Sequence, residues 1–265
     1  MNLPQSSYIG RHAELYDLFY ADKPYAQEAY FVHECTLSFG SGKRNRVLEL
    51  ACGTGNHAFE LEKLGYHVMA VDYSADMLLQ ARSKAQACNS SVDFRQQDMR
   101  VLDIPERPFD LVVCLFDSIG YVATNENLLK VLHGVRTHLH PTGLFIFEFW
   151  HAPAMIRHYE PVRVKRWQLN DREVLRVSST ELDIEKQLAK VSYDVYEMYT
   201  DGTYSAFSEI QTNRYFLLQE MAVLLSESGL QLLKAFSGFC TNRAITDETW
   251  HIVAIAQTAP ETKGV

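Results

Sequence analysis

The chain predicts an α/β fold, a mostly parallel, doubly wound sheet interrupted by an antiparallel β insertion. Three observations carry that expectation. Short apolar runs at 46–51, 67–71, 92–95, 111–116 and 144–149 alternate with segments whose apolar residues recur at helical spacing. The first run, "RVLELACGTG", leads straight into a glycine-rich turn. Between about 160 and 214 the pattern changes to a period of two, with Val191, Tyr193 and Val195 alternating with Ser192 and Asp194.

The N-terminal forty residues read as helical and aromatic, with Tyr8, Tyr16, Phe19, Tyr20, Tyr25 and Tyr30 among polar residues, and "SFGSGKRNR" ends them as a loop. Ser74 is placed to cap a helix carrying Met77, Leu78, Ala81 and Ala85. Asn125 opens another through Leu128, Leu129, Leu132 and Val135, and Pro141-Thr142-Gly143 is expected to stop it. In the β-rich stretch, "TDGT" at 200–203 is a strong hairpin turn and "LNDRE" a weaker one. Residues 216–228 return to helix, closed by Gly229, and strands follow near 230–236 and 250–256. The expected organisation is a helical arm at 1–45, a sheet domain at 46–159 and 215–265, and an insertion at 160–214.

With 265 residues, 47% hydrophobic and 22% charged, the chain has enough apolar material for a full core. A net charge of −8 argues against nucleic acid as a partner, which would need a clustered basic face. No segment reads as a signal peptide and the apolar runs are strand-sized, so a cytoplasmic protein with no membrane contact is expected. Cys35, Cys52, Cys88, Cys114 and Cys240 lie far apart, as reduced thiols do. His133, His138 and His140 invite a metal reading, but His133 and His138 fall on different helix faces, so no metal is expected.

Gly53-Thr54-Gly55-Asn56-His57-Ala58 satisfies the G-x-G-x-x-A pattern, and Asp72 ends the next apolar run. Glycines let a backbone approach a ligand and the acid binds ribose hydroxyls, so a nucleoside with free hydroxyls is implied. Glu49, just before the loop, selects among nucleosides. A carboxylate there repels pyrophosphate and stabilises the ammonium and sulfonium of S-adenosylmethionine. A Tyr-x-x-x-Lys pair, found at one common hydride-transfer site, is missing, which leaves a dinucleotide oxidoreductase as the weaker alternative.

"VLELACGTG", "VMAVDYSADML", "VDFRQQDMR", "PFDLVVCLFDSIGYV" and "LHPTGLFIFEFW" resemble successive motifs of class I S-adenosylmethionine-dependent methyltransferases, which have a Rossmann-like fold. The resemblance covers roughly residues 10 to 150. "SADML", "DMR" and "SIG", followed by a β-rich insertion, are similar to bacterial N,N-dimethyltransferases of nucleotide-linked amino sugars and to glycine and sarcosine N-methyltransferases. The resemblance implies that Ala51, Gly53 and Gly55 pass close to the methionine portion of the cofactor. It implies that Asp72 binds the ribose, that Tyr73 and Met77 flank the adenine, and that Asp98 and the Met99 amide meet its edge. It places the backbone near Leu115 at the methionine moiety and Tyr16 near both cofactor and acceptor. Met77 as core and Asp98 as a turn residue remain ordinary readings. The amino-sugar enzymes often carry a histidine where this chain has Tyr121.

An amine acceptor must lose a proton before it attacks, and Tyr16, Asp117, Tyr121 and His151 are the candidates to orient it or take that proton. Asp117 and Ser118 end the fourth strand, and His151 follows the fifth, at the rim where ligands of such sheets bind. The insertion is expected to cover the acceptor. Tyr193, Tyr196 and Tyr199 cannot all be core on one strand. The expected activity is methylation of a small molecule, with S-adenosylhomocysteine released, by a monomer or homodimer. O- or carboxyl methylation, or a silent S-adenosylmethionine-binding module acting on a partner protein, are the alternatives.

Overall fold

The computed structural model describes residues 7–40 and 45–260, so part of the loop expected at 38–46 lies outside the described residues. Helices α1 (Gly10–Phe19) and α2 (Tyr25–Phe39) precede the sheet domain. Its first half alternates β1 (Arg46–Leu50), α3 (Asn56–Lys63), β2 (His67–Asp72), α4 (Ala75–Cys88), β3 (Asp93–Gln96), β4 (Phe109–Cys114), α5 (Asn125–His138) and β5 (Leu139–Trp150). After α6 (Ala152–His158) come β6 (Val162–Gln168), β7 (Arg172–Asp183), β8 (Leu188–Tyr199) and β9 (Tyr204–Arg214). The chain then closes with α7 (Leu218–Glu227), β10 (Leu230–Ser237) and β11 (His251–Thr258). Among the described residues no helix is long and apolar enough to cross a membrane.

The seven-stranded sheet has the order β10-β11-β5-β4-β1-β2-β3. The pairings β1–β2, β1–β4, β2–β3 and β4–β5 are parallel, and β11 runs antiparallel to both β5 and β10. Its central strands are covered on both faces, which is why they read as continuous apolar runs. Alternate residues serve different layers: Leu48, Val112, Phe145 and Phe147 pack with α5 and α7, while Val47, Leu111, Val113 and Ile146 pack with α2, α3 and α4. Two buried carboxyls interrupt the apolar pattern, Glu49 in β1 and Glu148 in β5.

Ser74 caps α4 as its sequence predicts, accepting the Met77 N–H. The stop assigned to 141–143 is corrected. Helix α5 ends at His138, and Leu139 already pairs with Phe109 of β4. The next pairing is Leu144 with Leu111, so residues 140–143 bulge out of the strand. Gly143 permits this fold-back, since a Cβ there would lie 2.7 Å from the Leu139 side chain.

The insertion is a four-stranded antiparallel sheet in the order β6-β7-β8-β9. It leaves and rejoins the sheet domain at one place. The Phe216 N–H donates to the Trp150 carbonyl and the Ala152 N–H to the Phe216 carbonyl, both at 2.9 Å. That place is the carboxyl end of β5, so the insertion stands over the rim of the parallel strands. Helix α1 packs on it through Leu15 and Phe19, which meet Val174 and Val195.

Candidate active site

A cavity of about 510 Å³ lies between the rim of the sheet, α1 and the insertion. Its walls on the sheet side include Ala51, Gly53, Asp72, Met77, Asp98 and Met99. Ala51 and Gly53 both adopt positive φ, +52° and +57°, which bends the chain sharply out of β1. The Asp72 carboxylate fixes that bend, accepting the Gly53 N–H at 2.7 Å and the Ser74 N–H at 2.8 Å. Burial raises its pKa and these backbone donors oppose the rise. A Cβ at Gly53 would stand 3.2 Å from the Met77 Cε and 4.0 Å from the Tyr16 ring, so the glycine keeps this wall thin.

Most of the residues assigned to the site from sequence converge here. Tyr16, Tyr73, Asp117 and Tyr121 line the cavity together with the six above. Asp98 accepts hydrogen bonds from the Arg100 guanidinium, with Nη2 at 2.5 Å, which lowers its pKa despite partial burial. Four residues fall outside the walls. Gly55 has φ +82°, and a Cβ there would collide with the Phe94 ring at 2.6 Å, so its glycine serves packing. Leu115 is buried, and the adjacent Phe116 reaches the cavity in its stead. His151 is buried before α6, donating from Nδ1 to the Thr249 carbonyl at 3.1 Å, and burial lowers its pKa.

Glu49 is the fourth. It is 2% exposed, its Oε2 has no hydrogen-bond partner, and burial together with the Asp72 charge pushes its carboxyl up to about 8. With no cation beside it, this group is mostly protonated at neutral pH. The repulsion of pyrophosphate expected from its formal charge is therefore weaker than the sequence implies. The unsatisfied oxygen fits a cationic ligand better than an empty core, because a buried acceptor without a donor is costly.

Several wall residues carry little sequence signal. The Tyr8 hydroxyl bonds the Tyr121 hydroxyl and donates to Gln211 Oε1 at 2.9 Å, while Tyr20 packs edge-on against Phe116. Asp17, beside Tyr16, ties α1 to the glycine loop by accepting from Thr54 Oγ1 at 2.6 Å, Asn56 Nδ2 at 3.0 Å and Lys84 Nζ at 2.7 Å. His251, opening β11, places Nδ1 2.9 Å from Asp117 Oδ2 and 3.1 Å from Glu148 Oε1. One polar atom from each of these three side chains lies within 4.8 Å of the others, and a histidinium there answers both carboxylates. Arg176 of β7 is 5% exposed, ringed by Phe19, Tyr20, Trp167 and Tyr193, and its Nε and Nη1 are unpartnered. A carboxylate inside an apolar strand is a legible signal, and Glu148 in "LFIFEFW" carries it as Glu49 does. Nothing local marks His251.

A family profile described as "Methyltransferase domain" matches residues 47–143. The chain is 28% identical over 227 residues, 86% of its length and 88% of the relative's, to a protein named as methyltransferase YqeM from Bacillus subtilis (strain 168). It is 34% identical over 144 residues to the dTDP-3-amino-3,4,6-trideoxy-alpha-D-glucopyranose N,N-dimethyltransferase of Streptomyces venezuelae, 54% of this chain and 58% of that one. The crystal structure of Streptomyces venezuelae DesVI superposes with a TM-score of 0.76 at 25% identity, covering 93% of this chain and 99% of that one. The protein is an S-adenosylmethionine-dependent methyltransferase with the class I fold. S-adenosylmethionine is its cofactor. The loop after β1 and the acid ending β2 share one wall of the cavity, and the insertion forms the facing wall.

Proposed function

We propose that this methyltransferase N-methylates a small amine-bearing molecule, with a nucleotide-linked amino sugar as the best-fitting acceptor. The observation that carries the proposal is a single cavity with two chemically different ends. The sheet rim offers Asp72, Asp98 and the thin Gly53 wall, which suit a nucleoside, while the insertion offers Arg176, Tyr193 and Gln211, with Arg163 and Lys165 from β6.

On this reading Asp72 holds the ribose. Each of its oxygens accepts one backbone N–H and keeps a lone pair for a hydroxyl. Met77 and Tyr73 flank the adenine, Asp98 and the Met99 amide meet its edge, and Glu49, buried behind the cavity wall, favours the ammonium through its charge rather than by contact. When bound, S-adenosylmethionine supplies a methyl carbon activated by its sulfonium. The residues of the chain align the acceptor with that carbon, and such alignment is worth about 7–11 kcal/mol. Tyr16, Tyr20 and Phe116 close the site from the α1 side and exclude water. Arg163, Lys165 and Arg176 favour an acceptor with negative charge remote from its amine, as a sugar nucleotide has. The name of the Streptomyces venezuelae dimethyltransferase describes that kind of acceptor.

Mass spectrometry of products formed from S-adenosylmethionine and a mixed panel tests this. The panel is dTDP-3-amino-3,4,6-trideoxy-alpha-D-glucopyranose, glycine, sarcosine and hydroxyl-bearing analogues of each. Methylated amines are expected, with the sugar nucleotide turned over fastest. Methyl ethers or esters alone, with every amine untouched, would exclude N-methylation and leave the cofactor assignment standing.

A further inference from the structure

We propose that Asp117 takes the proton the acceptor amine must lose, and that His251 and Glu148 position its carboxyl and tune it. This rests on the amine reading above. Phe116 and Asp117 follow β4 with successive positive φ values, +57° and +56°, a strained pair for residues with side chains. The bend puts Asp117 in the cavity wall with its carboxyl against His251, while its backbone carbonyl is held by Asn213 Nδ2 at 3.2 Å. Glu148 is fixed from the other side by the Phe116 N–H, which donates to Oε2 at 2.6 Å. Two buried carboxylates thus share one imidazole nitrogen, an arrangement satisfied when the ring is a cation.

In the proposed step an N–H bond of the acceptor ammonium breaks, and its electron pair stays on nitrogen as the lone pair that attacks the methyl carbon. The proton forms an O–H bond on Asp117 and leaves to solvent after the product does. The charged and titratable groups around Asp117 come from several elements. His251 belongs to β11, Glu148 to β5 and Cys114 to β4, with Tyr121 beside the cavity. Lys23, between α1 and α2, stands 4.2 Å over the Phe116 ring and pairs with Glu28. Burial pushes the Asp117 carboxyl up to about 6, His251 pulls it down, and Glu148 adds to the rise. Burial opposes a charge on His251, but the two carboxylates prevail and push it up to about 11. A base near neutral pH is the most effective proton acceptor there.

The signs make a test that a merely structural cluster would not pass. In protein labelled with carboxyl-13C aspartate, the signal absent from Asp117→Asn should titrate near pH 6 in the wild type. The midpoint should rise by about a unit or more in His251→Gln and fall in Glu148→Gln, which keeps an acceptor for the Phe116 N–H. The acid limb of kcat/KM, measured with dTDP-3-amino-3,4,6-trideoxy-alpha-D-glucopyranose, should follow the same opposite shifts. Free substrate ionises identically in every variant, so a moving limb belongs to the enzyme. Asp117→Asn should lose that limb and slow turnover by ~10²–10⁴-fold. If His251→Gln does not fold, the downward shift in Glu148→Gln still decides. Midpoints that stay put, or a limb that ignores them while amines are methylated, would overturn the assignment to Asp117. A wild-type enzyme that methylates no amine would instead sink the amine reading on which it rests.

Discussion

Glu49 shows how a residue's surroundings change what its formal charge means. Its folded pKa is raised, so ionising it costs stability as pH climbs from its ordinary value towards about 8, and the cost is absent below that window. A cation placed beside the carboxyl lowers its pKa again. Binding of S-adenosylmethionine near pH 7 should therefore release protons, read as a dependence of calorimetric enthalpy on buffer ionisation enthalpy. Glu49→Gln should abolish that dependence. At Tyr121, burial first and Tyr20 next raise the pKa, against a hydrogen bond with Tyr8 that lowers it; the group stays a neutral hydroxyl, a poor proton acceptor, and it already bonds Tyr8 and Gln211. Tyr121→Phe should cost no more than about 10-fold in rate, the worth of one hydrogen bond. A larger loss would return this tyrosine to the proton-transfer step. Gly53 and Asp72 are legible from sequence because the turn and the next strand end fix their meeting locally. The pairing of His251 with Asp117 spans 134 residues and becomes visible only when β11 inserts beside β5.

Among the elements, α1 has two attachments that its sequence hardly announces. Arg11 donates from Nε to Glu197 of β8 at 2.6 Å, and Asp17 accepts from the glycine loop and α4. Asp17→Ala should loosen the loop, raising the Kd for S-adenosylmethionine several-fold while far-ultraviolet circular dichroism stays unchanged. In the insertion, the tip at 200–203 lines a separate shallow groove with Leu175, Tyr196 and Tyr204, away from the cavity. Shortening that tip should leave acceptor KM unaltered, although other residues of the insertion line the cavity. Arg176 is the element's sharper probe. Arg176→Met keeps the packing of the stem and removes a charged donor worth ~1.5–3 kcal/mol, so KM for the dTDP-linked acceptor should rise ~10–100-fold. KM for an uncharged amine should not change. Alternation in β8 was legible and implied that Tyr193 and Tyr196 face different ways. Tyr193 lines the cavity and Tyr196 the outer groove. The start of β5 was not legible, because Leu139 reaches its pairing partner only through a bulge that Pro141-Thr142-Gly143 disguises as a stop.

At the scale of the whole molecule, strands buried on both faces write themselves as apolar runs, so a mostly parallel sheet with helices on both faces follows from the sequence, while its strand order does not. The end of the cavity facing the insertion does not follow either, since its walls are drawn from α1, the turn after β4, β6, β7, β8, β9 and β11 and no local pattern encodes their convergence. The two halves of the cavity therefore stand on different footing: an end at the sheet rim built from contiguous motifs, and an end at the insertion built by tertiary packing alone. Isothermal titration of S-adenosylmethionine and of NAD into the purified protein tests the central claim most directly. The account predicts saturable binding of S-adenosylmethionine at roughly micromolar Kd, about −8 kcal/mol, and no heat of binding from NAD. Tight NAD binding with no response to S-adenosylmethionine would contradict it.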